Sequence, residues 1–265
     1  MKGRVFMFLN ITSTKNEKYK FYKSLKQKKA RTEFGLYTVE GIKSACDAVS
    51  ANAEIEAILV SDSFLKNESF SYPDSCQVYV ISDSIFSALS DTETPQGIIV
   101  VIKKTKNQNF VPDLSKPYIY CDRLQDPGNL GTIIRTADAA GFGGVLLSKD
   151  CVDLYSPKTV RSSMGSFFHI PKHEGITPEK IMELKEMGFS LVCGVLSENT
   201  IDYTLADMAK PVIIVIGNEA NGISDDILSL SDVDVKIPIA GEAESLNAAI
   251  AAAVLMYEVN RQRRN

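Results

Sequence analysis

Val212-Ile213-Ile214-Val215-Ile216-Gly217-Asn218-Glu219-Ala220-Asn221-Gly222 runs from five branched aliphatic residues straight into a polar loop bracketed by glycine. A strand with no polar alternation is covered on both faces, as in a parallel sheet flanked by helices. Ligands of such sheets bind beyond the carboxyl ends of the strands. Glu219 stands at that edge, between the amides Asn218 and Asn221. An acid there without compensation is costly, so Arg135 or Asn129 is expected as its partner.

Outward from this stretch the chain alternates strand and helix. Strands read at residues 118–121, 145–148, 167–170, 189–195, 212–216 and 233–237. Helices read at 129–140, 156–163, 178–187, 223–228 and 245–261. That alternation is a doubly wound α/β domain. Two more strand-to-helix loops stand out. Asp122 through Asn129 carries the turn Pro127-Gly128, with Asn129 as a helix cap and Gly131 allowing close approach. Arg135, about a turn and a half further on, can reach back toward the helix N-terminus, and the two together suit a phosphate. The spacing is not the dinucleotide glycine fingerprint, and no ribose-binding acid follows. The other loop, Ile237-Pro238 through Ser245-Leu246-Asn247, opens an alanine-lined helix with Ser245 as its expected N-cap.

The front of the chain reads as a smaller α/β unit. Its helices are 14–28, 38–50 and 82–89, and its strands are 57–60, 78–81 and 97–102. Lys103-Lys104-Thr105-Lys106-Asn107-Gln108-Asn109, with Pro112 and Pro117 beyond, is a linker by composition. The expected domains are 1–103 and 118–265, joined by 104–117.

The 265 residues, 45% hydrophobic and 23% charged, exclude wholesale disorder and fibres. The longest apolar stretch, residues 248–256, is far short of the ~20 residues that span a bilayer. Residues 1–11 lack the small-residue cleavage site of a signal peptide. Five cysteines, an odd number spread over the chain, suit free thiols in a reducing cytoplasm. The net charge of −4 argues at first against a nucleic-acid partner. It hides an asymmetry. Residues 1–31 carry ten Lys/Arg and one acid, +9; the other 234 carry nineteen basic and thirty-two acidic residues, −13. A basic arm on an acidic body is a footprint of polyanion binding. Tyr19, Phe21 and Tyr22, interleaved with the lysines, could stack on unpaired bases. The alternative is a solvated helix face.

Taken together, the three loops resemble the signature motifs of the SpoU/TrmH family of RNA ribose 2′-O-methyltransferases, in the SPOUT superfamily. Lys158 through Gly165, with its Arg-Ser-Ser-Met-Gly, lies between the first two motifs as it does in that family. The front half is similar to the family's substrate-binding domain at Leu25–Arg31, Val39-Glu40-Gly41 and Thr94-Pro95-Gln96-Gly97. The resemblance implies a parallel-sheet domain whose C-terminal segment is tucked into a deep trefoil knot. It implies S-adenosylmethionine held largely by backbone groups, at Gly217, Ile237 and Leu246. Asn129, Arg135, Glu219, Ser245 and Asn247 match the catalytic or substrate-orienting positions. Lys28, Lys29, Arg31 and Arg161 are the expected RNA contacts. A homodimer is implied, with the final helix at its interface. Glu242 and Glu244 depart from the small or hydroxyl residues common in the family just before Ser-Leu-Asn, and they place acid near the expected path of RNA.

Methyl transfer from a sulfonium needs the ribose 2′-hydroxyl in line at about 3–3.5 Å, and no metal. His169 and His173 have metal-like spacing but no third ligand. Arginine stays protonated, so Arg135 is expected to position the ribose and stabilise the developing alkoxide. Glu219 is expected to orient Arg135 or to accept the proton. The expected substrate is large-subunit (23S) ribosomal RNA. The alternatives are transfer RNA or a catalytically silent RNA-binding protein. An oxidoreductase of dinucleotide-binding type lacks its fingerprint here.

Overall fold

In the computed structural model, which describes residues 8–73, 76–105, 110–197 and 200–264, Val212–Ile216 is a strand with every side chain buried. The front elements are β1 (Phe8–Ile11), α1 (Glu17–Ser24), α2 (Lys28–Phe34), β2 (Leu36–Glu40), α3 (Ile42–Ser50), β3 (Ile55–Ser61), α4 (Asp62–Asn67), β4 (Gln77–Ile81), α5 (Asp83–Phe86) and β5 (Ile98–Lys103). There follow β6 (Tyr118–Cys121), α6 (Pro127–Ala139), β7 (Gly144–Leu147), α7 (Pro157–Ser163), α8 (Ser166–His169), β8 (Lys172–Glu174) and α9 (Pro178–Glu186). The chain closes with β9 (Ser190–Gly194), β10 (Ile201–Asp202), β11 (Val212–Ile216), α10 (Asp225–Leu228), β12 (Val233–Lys236) and α11 (Ala248–Arg263). None of the described helices is long and apolar enough to cross a membrane.

The chain divides into two compact units. One takes the chain up to Lys106 together with Tyr155–Phe168; the other takes Asn107–Leu154 and His169–Asn265. The expected linker, residues 104–117, lies partly outside the described residues, because 106–109 are among those not described. Tyr155 and Phe167 pack on Tyr37, with ring centroids 4.9 and 5.6 Å apart, so the 155–168 segment joins the front unit.

The second unit holds a seven-stranded sheet in the order β10-β12-β9-β11-β6-β7-β8, parallel at every pairing. One face buries Tyr118, Tyr120, Leu191, Ile213 and Val215 against Ile181, Leu184, Ile223 and Ile227. The other is covered by α6 and α11, which pack on each other. Ile216 lies opposite Cys121 in register. The loops after β6 and β11 therefore leave the sheet side by side.

The front unit has the order β1-β4-β3-β5-β2, with β1, β4 and β3 parallel and β5 antiparallel to both neighbours. Two of its family-like stretches meet. The Glu40 carboxylate accepts from Asp91 N–H (3.0 Å), Thr92 Oγ1 (2.8 Å) and the Ser90 hydroxyl, while Gln96 Oε1 accepts from Ile42 N–H at 2.9 Å.

Several elements differ from the sequence reading. Residues 38–40 are strand, not helix: Tyr37 and Val39 are buried in β2, and Gly41 (φ 95°) turns the chain before α3 starts. Residues 167–170 are not strand; Phe167 is buried from the short helix α8, and the polar edge strand β8 follows. Residues 14–28 are not one helix. The chain breaks between α1 and α2, and Arg31 closes the break by donating to the carbonyls of Leu25 and Lys26, both at 2.7 Å. Over its described residues, from Phe8 on, the basic segment is therefore no free arm. Tyr19, Tyr22, Leu25 and Ala30 lie in the core of the front unit.

Candidate active site

The site begins with a tight loop. Asn218 and Gly222 exchange two backbone hydrogen bonds of 2.9 Å, with Gly222 left-handed at φ 67°. Asn218 Oδ1 also accepts from the N–H groups of Ala220 (2.9 Å) and Asn221 (3.0 Å). A Cβ on Gly217 would stand 2.2 Å from the Gly222 carbonyl carbon. Only glycine lets the loop fold back on its own stem. Glu219 is carried at the tip, exposed to solvent.

The loop after β6 supplies its partners. Glu219 accepts from Gln125 N–H (3.2 Å), Asp126 N–H (3.3 Å) and Asn129 Nδ2 (2.9 Å). Burial alone would raise the Glu219 carboxyl; the Asn129 amide and the backbone N–H groups outweigh it and hold it below the usual carboxylate range. Of the two expected partners, Asn129 is the one present. Arg135 is exposed and makes no hydrogen bond or ion pair among the described residues.

The caps also differ from expectation. Asp126, not Asn129, caps α6: it accepts Asn129 N–H at 2.8 Å, with Pro127 in the first turn. That leaves the Asn129 side chain free for Glu219. Asn247, not Ser245, caps α11, accepting from Ala249 (2.9 Å) and Ile250 (3.3 Å). Its Nδ2 donates to Asn129 Oδ1 at 2.9 Å. Asn247, Asn129 and Glu219 thus form one chain of hydrogen bonds across the three loops. Ser245 is exposed and makes no hydrogen bond among the described residues.

The segment from β12 to α11 suits a cofactor held by main-chain groups. Among the described residues, the backbone of 238–246 makes no hydrogen bond. These donors and acceptors leave the carboxyl edge of a parallel sheet. Ile237, half-buried, and Leu246, 38% exposed, flank them with apolar surface.

Comparison with known proteins gives the family of the chain. Residues 116–257 match the model of the SpoU rRNA Methylase family, and residues 16–100 match the MRM3-like substrate binding domain. The chain belongs to the SpoU rRNA methylase family. It is 36% identical over 249 residues to the 23S rRNA (guanosine(2553)-2′-O)-methyltransferase RlmP of Bacillus subtilis, covering 94% of this chain and 98% of that one. It is 30% identical to the 23S rRNA (uridine(2479)-2′-O)-methyltransferase of Streptomyces viridochromogenes, covering 96% and 92%. Among solved structures, the AdoMet-bound rRNA methyltransferase of Sinorhizobium meliloti superposes with a TM-score of 0.85 at 31% identity, covering 96% and 98%.

Within this SpoU-family chain, the structure brings together Asn129, Glu219 and Asn247 and leaves Arg135 and Ser245 outside their hydrogen bonds. Lys28, Lys29 and Arg161 are exposed. Arg31 is corrected: at 3% exposure its guanidinium serves the α1–α2 break and does not face solvent. The stacking role read for Tyr19 and Tyr22 is corrected likewise, since both rings are core and Tyr19 donates its hydroxyl to Ile85 O at 3.0 Å. Sequence reasoning does not single out Gln125, Asp126 or Asn218. For Asn218 a signal exists: an Asn whose side chain folds onto the next backbone amides is a common turn device. No group of three His, Cys, Asp or Glu among the described residues could hold a metal.

Proposed function

We infer that this chain is an RNA ribose 2′-O-methyltransferase that uses S-adenosylmethionine and acts on large-subunit ribosomal RNA. The observation that carries the reading is the Asn247–Asn129–Glu219 chain, which joins the three signature loops at the carboxyl edge of the sheet. When bound, the cofactor supplies the methyl group as an electrophilic sulfonium. Residues 238–246 would hold it, with Gly217, Ile237 and Leu246 at the margins.

The protein's own groups do the rest. Glu219, anionic and already accepting three N–H groups, is a poor base and a good anchor. It fixes Asn129, and Asn129 fixes Asn247. Arg135 stays protonated. Its unpartnered guanidinium suits the phosphate beside the target ribose and the developing alkoxide, whose proton passes to solvent water late in the step, since Arg135 and Glu219 are both exposed. Ser245, on the same rim, orients the ribose. Lys28, Lys29 and Arg161 contact the RNA elsewhere on its backbone.

The same reading includes a deep trefoil knot in the C-terminal segment, supported by the return of Asn247 to the start of α6. It includes a homodimer through α11, whose Ile250 and Tyr257 lie two turns apart and are each about half exposed. The five cysteines are free thiols, which suits the cytoplasm.

Arg135→Ala tests the assignment. It should lower kcat by about 10²-fold or more while cofactor affinity, read by calorimetry, stays near the wild-type value. Stability should change by less than about 0.5 kcal/mol, because the side chain has no partner to lose. Retained turnover by that variant sinks the role given to Arg135.

A further inference from the structure

Arg123 follows buried Asp122 at the end of β6, and its backbone is left-handed at φ 54°. Few non-glycine residues adopt that conformation, and they persist only where their surroundings impose it. Here they do. Arg123 N–H donates to Ser148 Oγ at 2.8 Å, and its carbonyl accepts from Asn218 Nδ2 (2.9 Å) and Gln125 Nε2 (3.0 Å). Glycine would meet the same backbone demand without strain. An arginine kept at such a position calls for a use of its side chain.

The side chain is divided. Nε is buried without a hydrogen bond, 3.5 Å from Asp122 Oδ2. The same Asp122 oxygen accepts Ser224 N–H at 2.6 Å and ties the β6 loop to the start of α10. Asp122 thus faces the inner edge of the guanidinium, while the side chain as a whole is 37% exposed. Arg123 lies two residues before Gln125, whose N–H donates to Glu219. It belongs to the loop that leads to Asn129 and Arg135, not to the 238–246 segment with its free backbone groups.

We propose that Arg123 is a substrate-contact residue whose guanidinium takes a phosphodiester of the RNA next to the target ribose. The proposal rests on the RNA-methyltransferase reading above. A planar fork of N–H donors matches two phosphate oxygens, and the strained backbone with its three hydrogen bonds fixes where the fork stands.

Arg123→Gly removes the guanidinium and keeps the left-handed backbone. Its RNA affinity should fall about tenfold at low salt, as for the loss of a charged hydrogen bond. The slope of log affinity against log salt should flatten by about 0.7–0.9, the value of one phosphate neutralised. Cofactor affinity should not change, and Arg123→Lys should keep the wild-type slope. A merely structural arginine would not move the slope, so an unchanged slope in Arg123→Gly overturns the proposal. Loss of cofactor affinity at an unchanged slope also overturns it, and assigns the guanidinium to the cofactor's carboxylate. If the uncompensated Asp122 unfolds the single variant, Asp122→Asn with Arg123→Gly keeps an acceptor for Ser224 N–H, and the same slope decides. RNA bound but not methylated by the wild-type protein would sink the activity reading, with the slope still deciding Arg123.

Discussion

A carboxylate accepts hydrogen bonds and cannot donate them, and that one-sidedness orders the whole site. Because Glu219 is anionic, Asn129 must turn its NH₂ toward it, which leaves Asn129 Oδ1 to receive the Asn247 NH₂ and Asn247 Oδ1 to cap α11. Both amide orientations follow from a single charge. In Glu219→Gln an NH₂ would face N–H donors, and the fold should lose about 1 kcal/mol at neutral pH, a modest figure because the group is exposed. The sign with pH follows from its lowered pKa: the contribution is complete above the ordinary carboxyl range and is lost as pH falls through the lowered value. Urea melts of wild type and Glu219→Gln should therefore differ near neutrality and converge once the pH is taken well below the ordinary carboxyl range. A constant gap at both pH values would show that the carboxylate is not what the N–H groups hold. Asn247 separates two roles. Asn247→Asp keeps the helix cap but replaces the amide donor with a charge, so it should fold well and methylate poorly. Asn247→Ala should also lose about 1 kcal/mol of cap energy. Equal turnover by Asn247→Asp and wild type would detach Asn247 from the reaction.

At the scale of elements, the loop from β11 to α10 is built around one missing Cβ. In Gly217→Ala the new methyl would meet the main chain of Gly222 and Ile223 at 2.2 and 2.3 Å. Backbone cannot swing aside as a long side chain can, so the loop must shift, at about 1–3 kcal/mol. Glu219 should be displaced with it, and both the melting temperature and kcat should fall. Normal values of both would mean that the Asn218–Gly222 turn does not hold the site. This loop is legible in the sequence, because five branched aliphatics allow no other element and the two glycines mark its ends. So are β6 and β9, whose apolar runs are bounded by turn residues, and β12, where Val233 and Val235 alternate with Asp234 and Lys236. Less legible is what tertiary pairing decides. Thr38-Val39-Glu40 continues the helical spacing of α3, yet strand β5 and the turn at Gly41 claim it. The apolar run at residues 167–170 is too short for periodicity to separate helix from strand. Strand β8 is Lys-His-Glu at a sheet edge, with no apolar pattern to read. The caps Asp126 and Asn247 lie one turn or less from Asn129 and Ser245, the caps that the sequence suggests, within the usual uncertainty of helix ends.

Across the whole molecule, the net charge of −4 is the sum of a basic front and an acidic remainder. The structure changes what the basic front is. Tyr19 and Tyr22 are core, so deleting residues 1–31 would remove them together with Leu25 and the Arg31 brace, and would test folding more than binding. What the charge does has to be tested on side chains that the fold does not need. Lys28 and Lys29 qualify: both are exposed, and neither makes an ion pair with a described residue. Lys26, paired with Asp91 at 3.4 Å and bonded to Ser90 O, does not. Changing Lys28 and Lys29 together to Gln should leave the melting temperature and cofactor affinity in place. It should flatten the salt dependence of RNA binding by about 0.7–0.9 for each phosphate left without its lysine. Turnover at saturating RNA should survive, because neither lysine belongs to the Asn129–Glu219–Asn247 chain; the loss should appear in KM. A wild-type salt slope in the double variant would make this basic face a solvated surface, and would leave RNA recognition to Arg161 and the cations of the second unit.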